Sequence, residues 1–244
     1  MNAPDHLLFG DQVAASRLAE KFFGLDAARL MRLAVEDLFP GRIALVSSFG
    51  ADSAILLHML SEIDPAVPVL FIDSLQLFPE TLVYRDKLVA ELRLTNVVTL
   101  TPDEKLLAKE DPEKFLWARD PDRCCEIRKV LPLAKALQNF DAWITGRKRF
   151  QAATRAALPL FEADGPRIKV NPLAAWTPEM VEDYFRAHGL PRHALVAKNY
   201  LSIGCIPCTS PARPGEHSRA GRWRGRDKTE CGVHAATLDA GADI

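Results

Sequence analysis

Much is missing from this 244-residue chain. No apolar run approaches the roughly 20 residues that a bilayer-spanning helix needs. The opening stretch MNAPDHLLFGDQ has neither the basic segment nor the long apolar core of a secretory signal. Neither sign of charge prevails, because the net charge is −1, which argues against wholesale binding to nucleic acid or to a membrane surface. There is no internal repeat and no low-complexity tract. The expectation is a soluble, cytoplasmic protein with neither a nucleic-acid nor a membrane partner. Cysteine is scarce as well, with five in all. In a reducing compartment those five read as metal ligands or catalysts rather than as disulfides. What is present is ample apolar material: 48% hydrophobic residues suit one compact domain with a sizeable core.

The first forty residues, up to ARLMRLAVEDLFPG, carry apolar positions at helical spacing and stop at Pro40 and Gly41. From there β-rich runs alternate with helical ones. RIALVSSFG, PVLFIDS, NVVTLT, DAWITG and RIKVNPL read as strands; ADSAILLHMLSEI, PETLVYRDKLVAEL and the stretch 123–139 read as helices. In TPEMVEDYFRAHG, Thr177 is the expected N-cap, Pro178 the first helical residue and Gly189 the stop. This order predicts an α/β fold, a doubly wound and mostly parallel sheet of about five strands. After Pro191 the texture becomes rich in Gly, Pro and Arg, which predicts a loop or mobile arm outside the core. The expected division is a nucleotide-binding domain with N-terminal helices over 1–204 and an Arg-rich C-terminal arm over 205–244.

Three constellations carry chemistry. SSFGADS, Ser47 to Ser53, lies between a predicted strand and a predicted helix, where small residues and helix N–H groups can hold an anion. It is neither G-x-G-x-x-G nor a Walker sequence, so an ordinary small-residue turn is an equal reading. Cys124 and Cys125 are adjacent, and Cys205 and Cys208 form CIPC. Two such pairs suit a metal site, with zinc and iron–sulfur undecided by spacing and a vicinal disulfide disfavoured by its geometry. Cys231, in KTECGVH, is left over; Lys228 and His234 flank it with positive charge and Glu230 opposes them. The arginines form the third set: Arg147, Lys148, Arg149 and Arg155 after a predicted strand, and Arg213, Arg219, Arg222, Arg224 and Arg226 on the arm. Singly they read as solvated surface; together they suit an anionic small molecule.

In combination these segments resemble the assimilatory adenylyl-sulfate (APS) and phosphoadenylyl-sulfate (PAPS) reductases, from about Ile43 to His234. SSFGADSAILLH is similar to that family's modified pyrophosphatase-type loop, and FIDSLQLFPET to its second nucleotide-contacting strand end. CCEIRKVLPL and GCIPCT resemble the cysteine pairs of the cluster-bearing branch; RAGRW and TECGVH resemble its substrate arm and catalytic cysteine. The resemblance implies an adenine nucleotide alpha hydrolase-like fold and one [4Fe–4S] cluster per subunit on Cys124, Cys125, Cys205 and Cys208. It also implies a preference for APS over PAPS. Cys231 becomes the nucleophile, with reduced thioredoxin as donor, and the sulfite released feeds cysteine biosynthesis in sulfate assimilation. Ser47, Ser48, Gly50, Asp52 and Ser53 would hold the nucleotide and Ser74 would lie near the adenosine. Lys129, one helical turn after Cys125, would link cluster to sulfate; Arg155, Arg219, Arg222 and His234 complete the substrate set. Two departures stand out: Ser74-Leu75-Gln76 replaces the family's usual Thr-Gly and a basic or polar residue, and GRWRGR lacks a tryptophan run.

Several alternatives remain at this level. They are a PAPS or dual-specificity reductase, an ATP-dependent tRNA thiolase with a similar loop, and a nucleotide-binding redox sensor without catalysis. Monomer and homo-oligomer are equally compatible with the sequence.

Overall fold

The computed structural model describes residues 12–234. The β-rich runs form the strands β1 (Ile43–Ser47), β2 (Val69–Ile72), β3 (Val97–Leu100), β4 (Ala142–Ile144), β5 (Phe161–Asp164) and β6 (Arg167–Val170). They make one six-stranded sheet in the order β3-β2-β1-β4-β6-β5, parallel except for the β5–β6 pair. The sheet therefore has one strand more than expected. The missing signal was Asp164-Gly165, a tight-turn dipeptide whose glycine adopts φ +56° between two antiparallel strands.

Alternation along the strands explains the two-layer packing. Ile43, Leu45, Val69, Phe71, Ala142 and Ile144 face one apolar cluster, which also takes residues from the helices α1 (Gln12–Lys21), α2 (Ala27–Leu33), α3 (Ser53–Ser61), α4 (Pro79–Glu91) and α9 (Pro178–Ala187). Ala44, Leu70 and Trp143, pointing the other way, meet Leu133 and Leu137 of helix α8 (Leu131–Leu137). A parallel sheet needs both faces covered, and these clusters cover them.

The long N-terminal helical run divides into α1 and α2, and α2 runs on into a π-helical turn, Ala34–Leu38. The part of that expectation before residue 12 lies outside the described residues, as does the end of the predicted arm after His234. Helix α9 has the anticipated ends: Thr177 Oγ1 accepts the Met180 N–H at 3.3 Å, Pro178 opens the helix, and Gly189 follows it at φ +58°. Two short helices went unforeseen, α5 (Glu104–Glu110) and α6 (Leu116–Arg119), whereas α7 (Pro121–Cys125) opens the helical stretch expected over 123–139. Among the described residues no helix is long and apolar enough to cross a membrane.

Beyond His193 the described chain has only short 3₁₀ turns, as its composition predicts. It is not all outside the core, however. Trp223 is buried, and Val233 packs into the cluster around Leu133 and Trp143.

Candidate active site

Strands β2 and β3 lie on one side of β1 and β4 lies on the other, so the carboxyl ends of β1 and β4 flank the switch point of the sheet. Open parallel sheets bind ligands at such a point. Here SSFGADS leaves β1, TGRKRFQ leaves β4, and one cavity is lined by both.

The loop after β1 is held from within. Phe49 is fully buried at φ +47° and packs edge-on against Phe71, with ring centroids 5.2 Å apart; that burial offsets the left-handed backbone. Ser47 Oγ accepts the Phe49 N–H at 3.1 Å. Asp52 stands at the N-cap of α3, but its carboxylate does not cap the helix; it accepts from Lys148 Nζ at 2.9 Å. The first turn is closed instead by backbone: Ser53 donates its N–H to the Gly50 carbonyl at 3.2 Å and Ile55 donates its own to the Asp52 carbonyl at 3.3 Å.

Of the expected substrate residues, Ser47, Ser48, Gly50, Asp52, Ser53, Lys129, Arg155, Arg219, Arg222 and His234 all line this cavity, together with Cys231. Ser74 does not. Its hydroxyl lies 3.0 Å from Cys205 Sγ and its carbonyl accepts Arg128 Nη1–H at 2.9 Å, so it belongs with the cysteines. The reason is its neighbour: Leu75 turns the chain at φ +58°, and the next carbonyl, of Gln76, accepts the Ile206 N–H at 2.8 Å. That turn ties the end of β2 to the CIPC segment. Arg147 and Lys148, named before only as members of the basic run, also line the cavity, as do Gly146 and the stretch 201–204, which were not singled out. The signal for Lys148 was its place in a basic run just past a predicted strand.

The cysteine pairs surround a second, smaller cavity lined by Cys124, Cys125, Cys205 and Cys208 with Gln76, Trp117, Arg128, Lys129, Arg222 and Trp223. Asp120 caps α7 by accepting the Arg123 N–H at 2.9 Å, and Pro121 opens that helix. The chain then widens into a π turn, Glu126–Val130, where Leu131 donates its N–H to the Glu126 carbonyl five residues back. The expected single α-turn from Cys125 to Lys129 is thus a π turn, placed just before Pro132, which cannot continue the regular ladder. Lys129 still reaches both cavities. Among the described residues, no three His, Cys, Asp or Glu side chains converge tightly enough to hold a single metal ion.

Lys129 is fully desolvated, which favours its neutral form, yet Cys205, Cys231 and Cys125 around it raise its pKa and keep it charged. Cys231 is driven well below the usual thiol range. Its hydrogen bond with Cys125 contributes most; Lys129, the Val233 N–H and Arg222 add to it, and burial opposes. Burial pushes the Cys124 thiol up to about 11. The cations near Cys231 are therefore Lys129 and Arg222, in place of its sequence neighbours. Lys228 pairs with Asp122, and His234 stacks on Trp143 with its pKa lowered by burial and then by Arg147 and Arg155.

The arm closes over this assembly through close backbone approaches. A side chain at Gly221 would put its Cβ 1.9 Å from the Ser210 carbonyl oxygen, and one at Gly204 would strike the Arg222 guanidinium at 2.4 Å. Trp223, buried at φ +47°, carries Arg222 over its ring at 4.3 Å. Glu230 lies between Arg155 and Arg219, which hold it below the usual carboxylate range although burial works the other way.

A family model for the phosphoadenosine phosphosulfate reductase domain matches residues 42–211. The chain is 52% identical over 242 residues to the adenosine 5'-phosphosulfate reductase of Mesorhizobium japonicum, covering 96% of this chain and 94% of that one. It is 42% identical over 226 residues to the protein of the same name from Mycolicibacterium smegmatis, covering 91% and 94%. A solved structure of phosphoadenylyl-sulfate reductase from Candida auris, in a phosphate complex, superposes with a TM-score of 0.70 at 29% identity. That match covers 82% of this chain and 98% of the other.

Proposed function

The chain belongs to the phosphoadenosine phosphosulfate reductase family, and from that premise we propose that it is an adenylyl-sulfate reductase whose nucleophile is Cys231. One observation carries the reading. The cavity at the sheet's switch point, with its anion-suited loop, also takes Cys231 together with Lys129, Arg219 and Arg222. The relatives' names favour APS as substrate over PAPS.

In this reaction the Cys231 thiolate attacks the sulfur of the sulfonyl group. The S–O bond to the phosphate breaks, and AMP leaves with that electron pair, giving an S-sulfonated cysteine. A thiolate of a dithiol donor, read as thioredoxin, attacks Cys231 Sγ and expels sulfite with the S–S electron pair. The donor's second thiol then frees Cys231, so the donor ends as a disulfide. Attack brings a thiolate to a dianionic substrate. Lys129, Arg219 and Arg222 lower that repulsion, and Arg155 with the loop 47–53 holds the nucleotide.

A [4Fe–4S] cluster on Cys124, Cys125, Cys205 and Cys208 fits the second cavity. The four thiols line its wall, and Arg128, Lys129 and Arg222 supply positive charge for an anionic group. When bound, such a cluster supplies negative charge that holds these cations in place. The thiols also suit a reducing, cytoplasmic setting.

The test is to mix anaerobically prepared holoprotein with APS in the absence of any reductant. One SO₃ should be gained on the peptide bearing Cys231, with an equivalent of AMP released. An unmodified Cys231 peptide would refute the mechanism. A rate with PAPS equal to that with APS, at subsaturating substrate, would overturn the preference alone.

A further inference from the structure

Glu230 stands immediately before the candidate nucleophile, and the proposed chemistry makes no use of it. Its carboxylate is clamped. Arg155 donates Nε–H to one oxygen at 2.6 Å and Nη2–H to the other at 2.7 Å, and Arg219 Nη2 adds a third contact at 3.2 Å. Arg155 spends its remaining fork on Gln151 Oε1 at 2.7 Å and is only 7% exposed. Glu230 lines the same cavity as the loop 47–53.

A guanidinium presents a fixed fork of donors, so two anions cannot take the same pair of N–H groups at once. We propose that Glu230 is a built-in occupant of the substrate's anion subsite, holding Arg155 and Arg219 until the phosphosulfate displaces it. The inference rests on the reading of those two arginines as the substrate's anion grip. It adds a consequence that reading lacks: substrate entry and the seating of the Cys231 segment compete for one pair of cations. Because Glu230 and Cys231 are adjacent, displacing the carboxylate unties the segment that carries the nucleophile. Glu230 is on this account a positioning residue.

The sign of one measurement separates this from a purely structural tie. Removing a tie loosens the site and weakens binding; removing a competitor tightens it. Affinities are measured in the Cys231→Ser holoprotein, where APS binds without reacting, with and without Glu230→Gln or Glu230→Ala. Losing a charge-assisted contact of this kind should tighten APS binding about tenfold. Inorganic sulfate, measured as a competitor, should gain similarly. Adenosine, which carries no anion, should bind all three proteins alike. Unchanged or weaker APS binding in both variants overturns the proposal, as does an equal shift for adenosine and APS. Arg155→Ala keeps the two levels apart. If it lowers APS affinity while Glu230→Gln changes nothing, the grip stands and the occupant is disproved. If Arg155→Ala binds APS as before, the grip reading falls and the occupant falls with it.

Discussion

The two cavities meet at Lys129, Arg222 and Trp223, and they settle their charge in different ways. At the strand ends the cations face carboxylates: Arg147 faces Glu162 at 2.6 Å, Lys148 faces Asp52 at 2.9 Å, and Arg155 faces Glu230. Between the cysteines the counter-groups are sulfur. Lys129 is held charged by Cys205, Cys231 and Cys125, and Arg222 donates to a backbone oxygen, that of Cys208, at 3.4 Å and lies over the Trp223 ring. A carboxylate partner keeps a cation in position but occupied. A thiol partner leaves the positive charge for whatever thiolate or anion comes next. On the proposed function, the first cavity would exchange anions and the second would hold one.

The sharpest way to break this contrast is to remove the sulfur of the first cavity, Cys231, whose hydrogen-bond partner Cys125 lines the second. Cys231→Ser should lower sulfite release by at least about a thousandfold, with APS binding and cluster absorbance kept. A residual rate within tenfold of wild type would mean that another group does the chemistry.

Asp111 is the exception in the second region, a carboxylate among thiols. It pairs with Arg128 at 2.6 Å with both side chains buried, and Arg128 in turn donates to the Ser74 carbonyl. Breaking a buried pair leaves an uncompensated charge, so Asp111→Asn should cost about 3 kcal/mol in urea unfolding of the holoprotein. The pH dependence has a definite sign. Burial raises the Asp111 pKa, but the Arg128 hydrogen bond and the backbone N–H donors outweigh it, and the folded value lies below the ordinary one. Its stabilisation is therefore fully present above about pH 4 and is lost as pH falls through the lower folded pKa. The gap between wild type and Asp111→Asn should be constant near neutrality and shrink in acid. A gap that widens on acidification would show that the pair does not stabilise as the carboxylate form.

Lys129 tests the boundary itself. Lys129→Met keeps the stem and removes the charge, and should slow single-turnover formation of the S-sulfonated protein roughly a hundredfold. The loss should appear in the rate at saturation more than in APS affinity, since Lys129 faces the nucleophile. Equal losses in both would place it in ground-state binding.

Much of this arrangement was legible before any coordinates. Strand-then-small-residue patterns located SSFGADS and the TGRKR run, because parallel strands end where ligands bind. The two cysteine pairs announced a shared site. Other features were not local. Nothing in KTECGVH reveals that Lys228 turns away to Asp122 and that Lys129, about a hundred positions earlier, takes its place. The π turn before Pro132 and the placement of Ser74 depend on how α7 and the CIPC segment meet. Strand β5 was legible in principle from Asp164-Gly165 but is short and half polar, with a charged residue at each alternate position after Phe161.

The smallest effect tests the wall between the regions. Leu75 holds φ +58° with its side chain 54% exposed, and its N–H bonds Asp73 Oδ1 at 2.9 Å. A left-handed backbone costs a non-glycine residue about 1 kcal/mol, and its exposed side chain returns little of that by packing. Leu75→Gly relieves the strain but frees the unfolded chain, so the net gain should be no more than about 0.5 kcal/mol. Its value lies in a second readout. Ser74 and Gln76, on either side, contact Cys205 and Ile206. If this turn serves the thiol cavity, APS affinity should stay within about twofold while the stability of the iron–sulfur absorbance in air changes; twofold is only about 0.4 kcal/mol, the size of the strain difference itself. A larger shift in APS affinity with unchanged absorbance would return Ser74 to the adenosine, where the family resemblance first put it.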